Sequence, residues 1–207
     1  MVFALAFCAI PARLSAAAVY NNLGAGNTFG GTAASATGVT YLGTTFTTTG
    51  GGALASILVP VSDTFSPLNF TLYADAGGVP GTLLETWSLA VSSSVQLVTL
   101  TSVQHPVLSA GGKYWLLLST LGGTMQWAFN NQNVFGGYFT GNSLPALSVN
   151  APTGPALAIQ VAVADPAVTP LPPTLVLTFS GMLLTSLLLF AMRRKLRTVP
   201  VRAVDQW

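Results

Sequence analysis

The stretch Asn69-Phe70-Thr71-Leu72-Tyr73-Ala74-Asp75, followed by Ala76-Gly77-Gly78-Val79-Pro80-Gly81, decides the fold. In an extended chain Phe70, Leu72 and Ala74 fall on one side and Asn69, Thr71, Tyr73 and Asp75 on the other. A period of two marks a half-buried strand, because successive side chains of a strand point to opposite faces. The Gly and Pro that follow mark a turn. The alternation recurs at Leu157, Ile159, Val161 and Val163, which share one face, with Ala158, Gln160 and Ala162 on the other.

Outward from these two runs the same texture continues. Twenty of the 21 glycines lie at or before Gly154, many in pairs such as Gly30-Gly31, Gly111-Gly112 and Gly136-Gly137. Glycine in a helix interior costs about 1 kcal/mol relative to Ala, so this spacing argues against helices and for turns. Runs rich in Val, Thr, Leu and aromatics lie between them. Strands are expected near 39–47, 53–61, 69–75, 83–91, 95–102, 113–120, 125–131, 136–140 and 156–164. The expected fold is all-β: an antiparallel two-sheet β-sandwich, jelly-roll-like, over residues 19–164.

Composition excludes several classes. Charged residues are 6% of the 207 and hydrophobic residues 51%, so disorder through charge is ruled out. Seven Lys and Arg in all cannot build a phosphate-tracking surface, so nucleic acid is not an expected partner. One Cys and one His exclude a disulfide framework and a Cys/His metal cluster.

The charges are also unevenly placed. Between Val19 and Asp165 there are four acids (Asp63, Asp75, Glu85, Asp165) and one base (Lys113), a net of −3. Beyond residue 192 stand Arg193, Arg194, Lys195, Arg197 and Arg202 against Asp205, a net of +4. Between the two regions, Leu175 to Met192 is 18 residues without a charge. As a helix it covers roughly 27 Å, close to the bilayer hydrocarbon core. The run 175–192 is therefore expected to be a transmembrane helix. Arg193, Arg194, Lys195 and Arg197 then keep the tail 193–207 cytoplasmic by the positive-inside rule. Within the helix Ser180, Gly181 and Thr185 form a small-residue patch of the kind that supports helix pairing.

The N-terminus fits export. Met1 to Ile10 is apolar, and Ala16-Ala17-Ala18 offers a small-residue cleavage site, with Ala16 and Ala18 as its signature positions. Residues 1–18 are expected to be a signal peptide, without a Lys or Arg ahead of the apolar run. Phe7 before Cys8 stands where lipidation wants a small residue. Pro166, Pro170, Pro172 and Pro173 make residues 165–174 a semi-rigid tether.

Two resemblances follow. Thr169-Pro170-Leu171-Pro172-Pro173, the apolar run 175–192 and Arg193-Arg194-Lys195 together resemble the PEP-CTERM class of sorting signals, in its Pro-Leu-Pro variant. That implies a bacterial protein handled by an exosortase-like processing enzyme, with Pro170, Leu171 and Pro172 as the sorting motif. The body resembles the choice-of-anchor R domain of bacterial surface proteins. The matching pieces are Tyr20-Asn21-Asn22-Leu23-Gly24, then Phe70 to Gly81, then Thr101-Ser102-Val103-Gln104-His105-Pro106-Val107-Leu108 with Tyr114-Trp115-Leu116. That resemblance implies an exported domain joined to an interchangeable anchor, in a biofilm or exopolysaccharide setting, with no catalytic activity and no cofactor.

Chemistry-bearing residues are few. His105 precedes Pro106, which restricts its backbone, and no Gly-x-Ser-x-Gly nucleophile elbow occurs. Asp75 and Glu85 flank the 76–82 turn. A hairpin centred near Val79 sets Glu85 across from Tyr73 and diagonal to Asp75, an arrangement open to a hydrolase pair. Asp75 before Gly-Gly is equally a turn-former. Among the aromatics Trp115, Trp127 and Tyr138 are candidate glycan contacts, with Gln126 to Asn133 supplying amides. The plainer role for them is core packing. On the strand 113–120, Trp115 and Leu117 face opposite to Tyr114, Leu116 and Leu118, so both sides belong inside only if the strand is covered twice.

The reading is an exported, non-catalytic β-sandwich held at the inner membrane with its body outside the cytoplasm, from which it can be passed to the cell surface. Its expected partners are the lipid bilayer, the processing enzyme and extracellular polysaccharide. The alternatives are a carbohydrate-binding module and a small hydrolase.

Overall fold

One long strand organises the chain. β4 (Gly52–Asp63) is a 12-residue strand in which Leu54, Ile57, Val59 and Val61 are fully buried. It carries Pro60, which has no N–H to give to a sheet. The Ser102 N–H bonds the Ala55 carbonyl, so from Ala55 onward the odd residues of β4 turn their backbone groups to that side and Pro60 turns to the other. There β13 (Gln160–Ala164) pairs only as far as Leu58 and β10 (Thr124–Ala128) only from Val61 onward. Pro60 falls in the gap between them, so no ladder bond is lost.

The computed structural model describes residues 16–164, apart from 39, 65–66, 145 and 151. The tether 165–174, the expected membrane helix 175–192 and the basic tail 193–207 lie outside the described residues. So do Pro170, Leu171, Pro172, Arg193, Arg194, Lys195 and Arg197. Among the described residues no helix is long and apolar enough to cross a membrane.

The protein is all-β, with two antiparallel sheets. The first has seven strands. β1 (Ala16–Asn21), β13, β4, β10 and β2 (Ala33–Thr37) lie in that order, with β7 (Gln96–Thr101) and β8 (Val107–Leu108) on the free side of β4. The second has six strands. Its order is β12 (Ser148–Asn150), β11 (Tyr138–Gly141), β3 (Tyr41–Thr47), β9 (Lys113–Thr120), β5 (Leu68–Asp75) and β6 (Pro80–Leu89). The two inner faces share one apolar core, with Ile57, Val59, Val61, Trp127 and Val161 from the first sheet and Phe46, Phe70, Leu72, Leu116 and Leu118 from the second. This arrangement is consistent with the expected sandwich.

All nine expected strand regions contain a strand. β1, β2, β8 and β12 are additional. β1 starts with three alanines inside the expected signal peptide, β2 has three alanines among its five residues, a type depleted in strands, and β8 and β12 are only two and three residues long. β1 begins ahead of the expected domain start: Ala16, Ala17 and Ala18 pair with Ala164, Val163 and Ala162. The candidate cleavage residues thus stand in a sheet edge, where small side chains fit.

Two buried asparagines close the barely regular segment before β13. Asn22 donates to the Leu157 carbonyl (2.8 Å) and accepts from the Ile159 N–H (2.6 Å). Asn130 donates to Val134 and Ala156 carbonyls and accepts from the Gln132 and Val134 amides. Both replace a neighbouring strand, since buried backbone groups must be paired. Asn22→Ala removes the partners of two buried backbone groups, each a loss of about 1–3 kcal/mol, so a total of about 2–6 kcal/mol is expected in a urea unfolding curve. A loss below about 0.5 kcal/mol would contradict this role.

Candidate functional site

The aromatic residues are placed first. Trp127 is fully buried on the inner face of β10, and its indole N–H donates to the Ala158 carbonyl at 2.8 Å. Trp115 is 2% exposed. Tyr138 is half-buried, its ring 5.8 Å from that of Phe129. The expectation that Trp127 and Trp115 offer open ring faces to a glycan is therefore corrected: both rings are packed. Trp127 belongs to the shared core, and Trp115 is packed because β9 is covered on both sides. Tyr114, Leu116 and Leu118 enter the main core, while Trp115 and Leu117 are buried on the opposite face. There Gly43 stands across from Leu117, and a Cβ at that position would collide with the Leu117 side chain and the Leu116 carbonyl.

Trp115 sits in a small polar and aromatic cage. Its indole N–H donates to Asp75 Oδ1 at 2.7 Å, and the Phe139 ring lies 4.5 Å away, centroid to centroid. Lys113 Nζ lies 5.6 Å from the ring centre and 3.5 Å from Asp75 Oδ1. Asp75 Oδ2 also accepts the Gly78 N–H, which ties the hairpin turn. The Trp115 N–H first, and the Gly78 N–H second, hold the Asp75 carboxyl below its ordinary range; slight burial opposes them and Lys113 adds a smaller downward pull.

Glu85 lies elsewhere. Bulges in the β5–β6 hairpin set it across from Leu72 instead of Tyr73, on the inner face, away from Asp75. The expected approach of these two carboxylates is thereby overturned. Glu85 is 2% exposed and clamps the chain after β7. It accepts the Ser102 hydroxyl (2.6 Å) and the Val103 and Gln104 amides (2.6 and 3.1 Å). Ser102 Oγ in turn accepts the His105 N–H at 2.9 Å. His105 adopts a left-handed backbone (φ 49°), strained for a residue before proline, and its Nδ1 meets the Leu54 carbonyl at 3.1 Å. Glu85, Ser102 and His105 thus form a structural clamp in which the imidazole faces a backbone carbonyl, not the serine. Asp63, 3% exposed, accepts the Thr120 hydroxyl at 3.0 Å on Oδ2. No described group of three His, Cys, Asp or Glu side chains is placed to hold a metal ion.

One open cleft, of about 240 Å³, lies where β3 runs past the start of β11. Tyr20, Thr45, Thr47, Phe135, Gly136 and Gly137 line it, and no charged side chain does. The sequence marked Gly136-Gly137 only as a turn signal opening the expected strand 136–140, and the threonine run of β3 only as a strand. The discoverable signal was an aromatic residue directly before a glycine pair. No family model matches the sequence, and no curated protein matches it.

Two expectations follow. Replacing Glu85 with Ala strands a buried hydroxyl and two amides, so stability falls by about 3 kcal/mol or more in urea unfolding, while Glu85→Gln loses less because one acceptor oxygen remains. At Asp75 the folded carboxyl titrates below its unfolded value near 4, so its contribution is present above that pH and is lost as pH falls through the lower folded value. Asp75→Asn keeps an acceptor for Trp115 and flattens this acid limb of stability; Asp75→Ala leaves the indole N–H unpaired and lowers stability at pH 7 as well. Identical acid limbs for wild type and Asp75→Asn would contradict the assignment.

Proposed function

We propose that this protein is an exported, membrane-anchored, non-catalytic domain that displays a jelly-roll-like β-sandwich outside the cytoplasm. The observation that carries it is the uncharged run 175–192 closed by Arg193-Arg194-Lys195. The all-β body with turn-rich connections supports it, as does the frequent passage of the chain from one sheet to the other. The engagement of the rare reactive side chains supports it further. Glu85 and Asp75 hold backbone and indole N–H groups, and the His105 ring meets a carbonyl. On this reading the Pro170-Leu171-Pro172 segment is where an exosortase-like enzyme acts, and extracellular polysaccharide is the setting. Removal of a signal peptide after Ala18 leaves Tyr20 and Asn21 to continue pairing with Val161 and Gln160.

Topology tests this. A phosphatase reporter inserted in the exposed Gly77-Gly78 turn is expected to be active only outside the cytoplasm. A cytoplasmic reporter fused after Trp207 is expected to be active inside. Mass measurement of protein from the native envelope is expected to give a chain starting at Val19, and replacing Pro170 and Pro172 by Ala to block any loss of the C-terminal segment. A chain found wholly soluble after lysis, or a C-terminal reporter active only outside, would sink the proposal.

A further inference from the structure

β3 pairs with β9 over its whole length, Tyr41 to Thr47, but with β11 only from Tyr41 to Gly43. The parity of the strand decides what this leaves open. The Thr48 N–H bonds the Gly112 carbonyl, and these two residues continue the β3–β9 register. Even-numbered residues of β3 therefore turn their backbone groups to β9, and odd-numbered residues turn them away. Tyr41 and Gly43 meet Gly141 and Phe139 of β11 on that second side. Continued by two more pairs, the same register sets Thr45 against Gly137 and Thr47 against Phe135.

Those pairs do not form. Gly136 and Gly137 both turn their N–H groups to the Gly154 carbonyl, at 3.2 and 3.3 Å, and both have positive φ (157° and 65°) that only glycine adopts readily. The N–H and C=O groups of Thr45 and Thr47 thus face the cleft with no chain opposite. The Thr44 hydroxyl reaches the Thr45 carbonyl, at 3.4 Å.

The open edge is closed at both ends. β11 occupies it up to Gly43, and beyond Thr47 the Thr49 N–H is taken by the Val19 carbonyl at 2.7 Å. The gap offers two ladder positions, so an added strand would gain no more backbone pairing than two-residue β8 gains on β4. The volume is also below the roughly 300–1,000 Å³ of drug-sized pockets. The walls are neutral. Burial raises the Tyr20 phenol, which keeps it protonated. Phe135 stands at the rim 65% exposed, an apolar face beside polar groups.

A ligand for this place must be small and uncharged, with groups that both donate and accept, and with one apolar face. Sugar hydroxyls do both, donating to C=O and accepting from N–H, and the C–H face of a pyranose suits an aromatic ring. We propose that the cleft binds one neutral pyranose unit, hydrogen-bonded to the backbone of Thr45 and Thr47 and lying against Phe135. The proposal draws on the display reading only for the origin of the sugar. Binding is measured on purified protein, so its failure leaves the topology result untouched.

The test uses the full chain in a zwitterionic detergent that carries no sugar. Glucose, galactose, mannose and N-acetylglucosamine are titrated as monosaccharides and as linear tetramers, beside an oligouronate and an oligothreonine peptide. Backbone amide shifts and calorimetry are the readouts. At least one neutral sugar is expected to move the Thr45 and Thr47 amides saturably. Equal affinity for monomer and tetramer assigns a free sugar, and tighter binding of the tetramer a glycan chain. Phe135→Ala is expected to weaken binding by about tenfold or more with the unfolding midpoint unchanged, and Phe135→Trp to retain it. The proposal is overturned if no neutral sugar moves those amides, if Phe135→Ala binds as wild type, or if the uronate or the peptide binds more tightly.

Discussion

One apolar layer shared by two sheets is the constraint on which everything else depends. Ile57, Val59 and Val61 of β4 and Phe70, Leu72, Leu116 and Leu118 of the facing sheet are completely shielded from water. Full burial of such side chains stabilises by about 1.5–3 kcal/mol each. The gain requires that every backbone group entering that layer be paired, because an unpaired buried amide or carbonyl cancels much of it. The polar side chains of the body are placed to meet this demand. Asn22 and Asn130 stand in for missing strands, Glu85 caps the segment after β7, and the Trp127 and Trp115 indoles each find an acceptor.

This explains why residues that look chemical in the sequence do structural work in the fold. A body with four acids and one base has few charged groups, and Glu85 is buried where three donors converge on it. The single histidine bends the chain in a left-handed turn between the clamp and Pro106. These bonds hold the second sheet's β6 to the chain that follows β7 in the first, as does the Trp87 indole bonded to the Thr101 carbonyl.

Strand positions were largely legible because period-two alternation survives wherever one face of a strand meets the core, as in Phe70, Leu72 and Ala74. It failed where side chains are too small to show it, at Ala33–Thr37, and where the alanines of Ala16–Asn21 read as a signal-peptide end. The open ring face expected of Trp115 is missing for another reason. Composition shows that Trp115 faces away from Tyr114, but not that Asp75, Phe139 and Lys113 cover it there. The hairpin pairing of Glu85 slipped because bulges are invisible to a centred turn. The cleft was illegible altogether: it arises from a register left unfinished, which depends on Gly136 and Gly137 bonding a carbonyl seventeen residues or more downstream.

A body this poor in charge also has to guard its sheet edges by other means, since charged side chains are the usual protection. β6 opens with Pro80 and carries bulges, β1 is bulged between Ala18 and Tyr20, and β8 and β12 are too short to template a partner. The open positions at Thr45 and Thr47 obey the same logic. Each end of the gap is already bonded, by β11 up to Gly43 and by the Val19 carbonyl at Thr49, so another strand finds only two positions to extend. Restricting the gap to two positions limits the exposed backbone to the groups of Thr45 and Thr47.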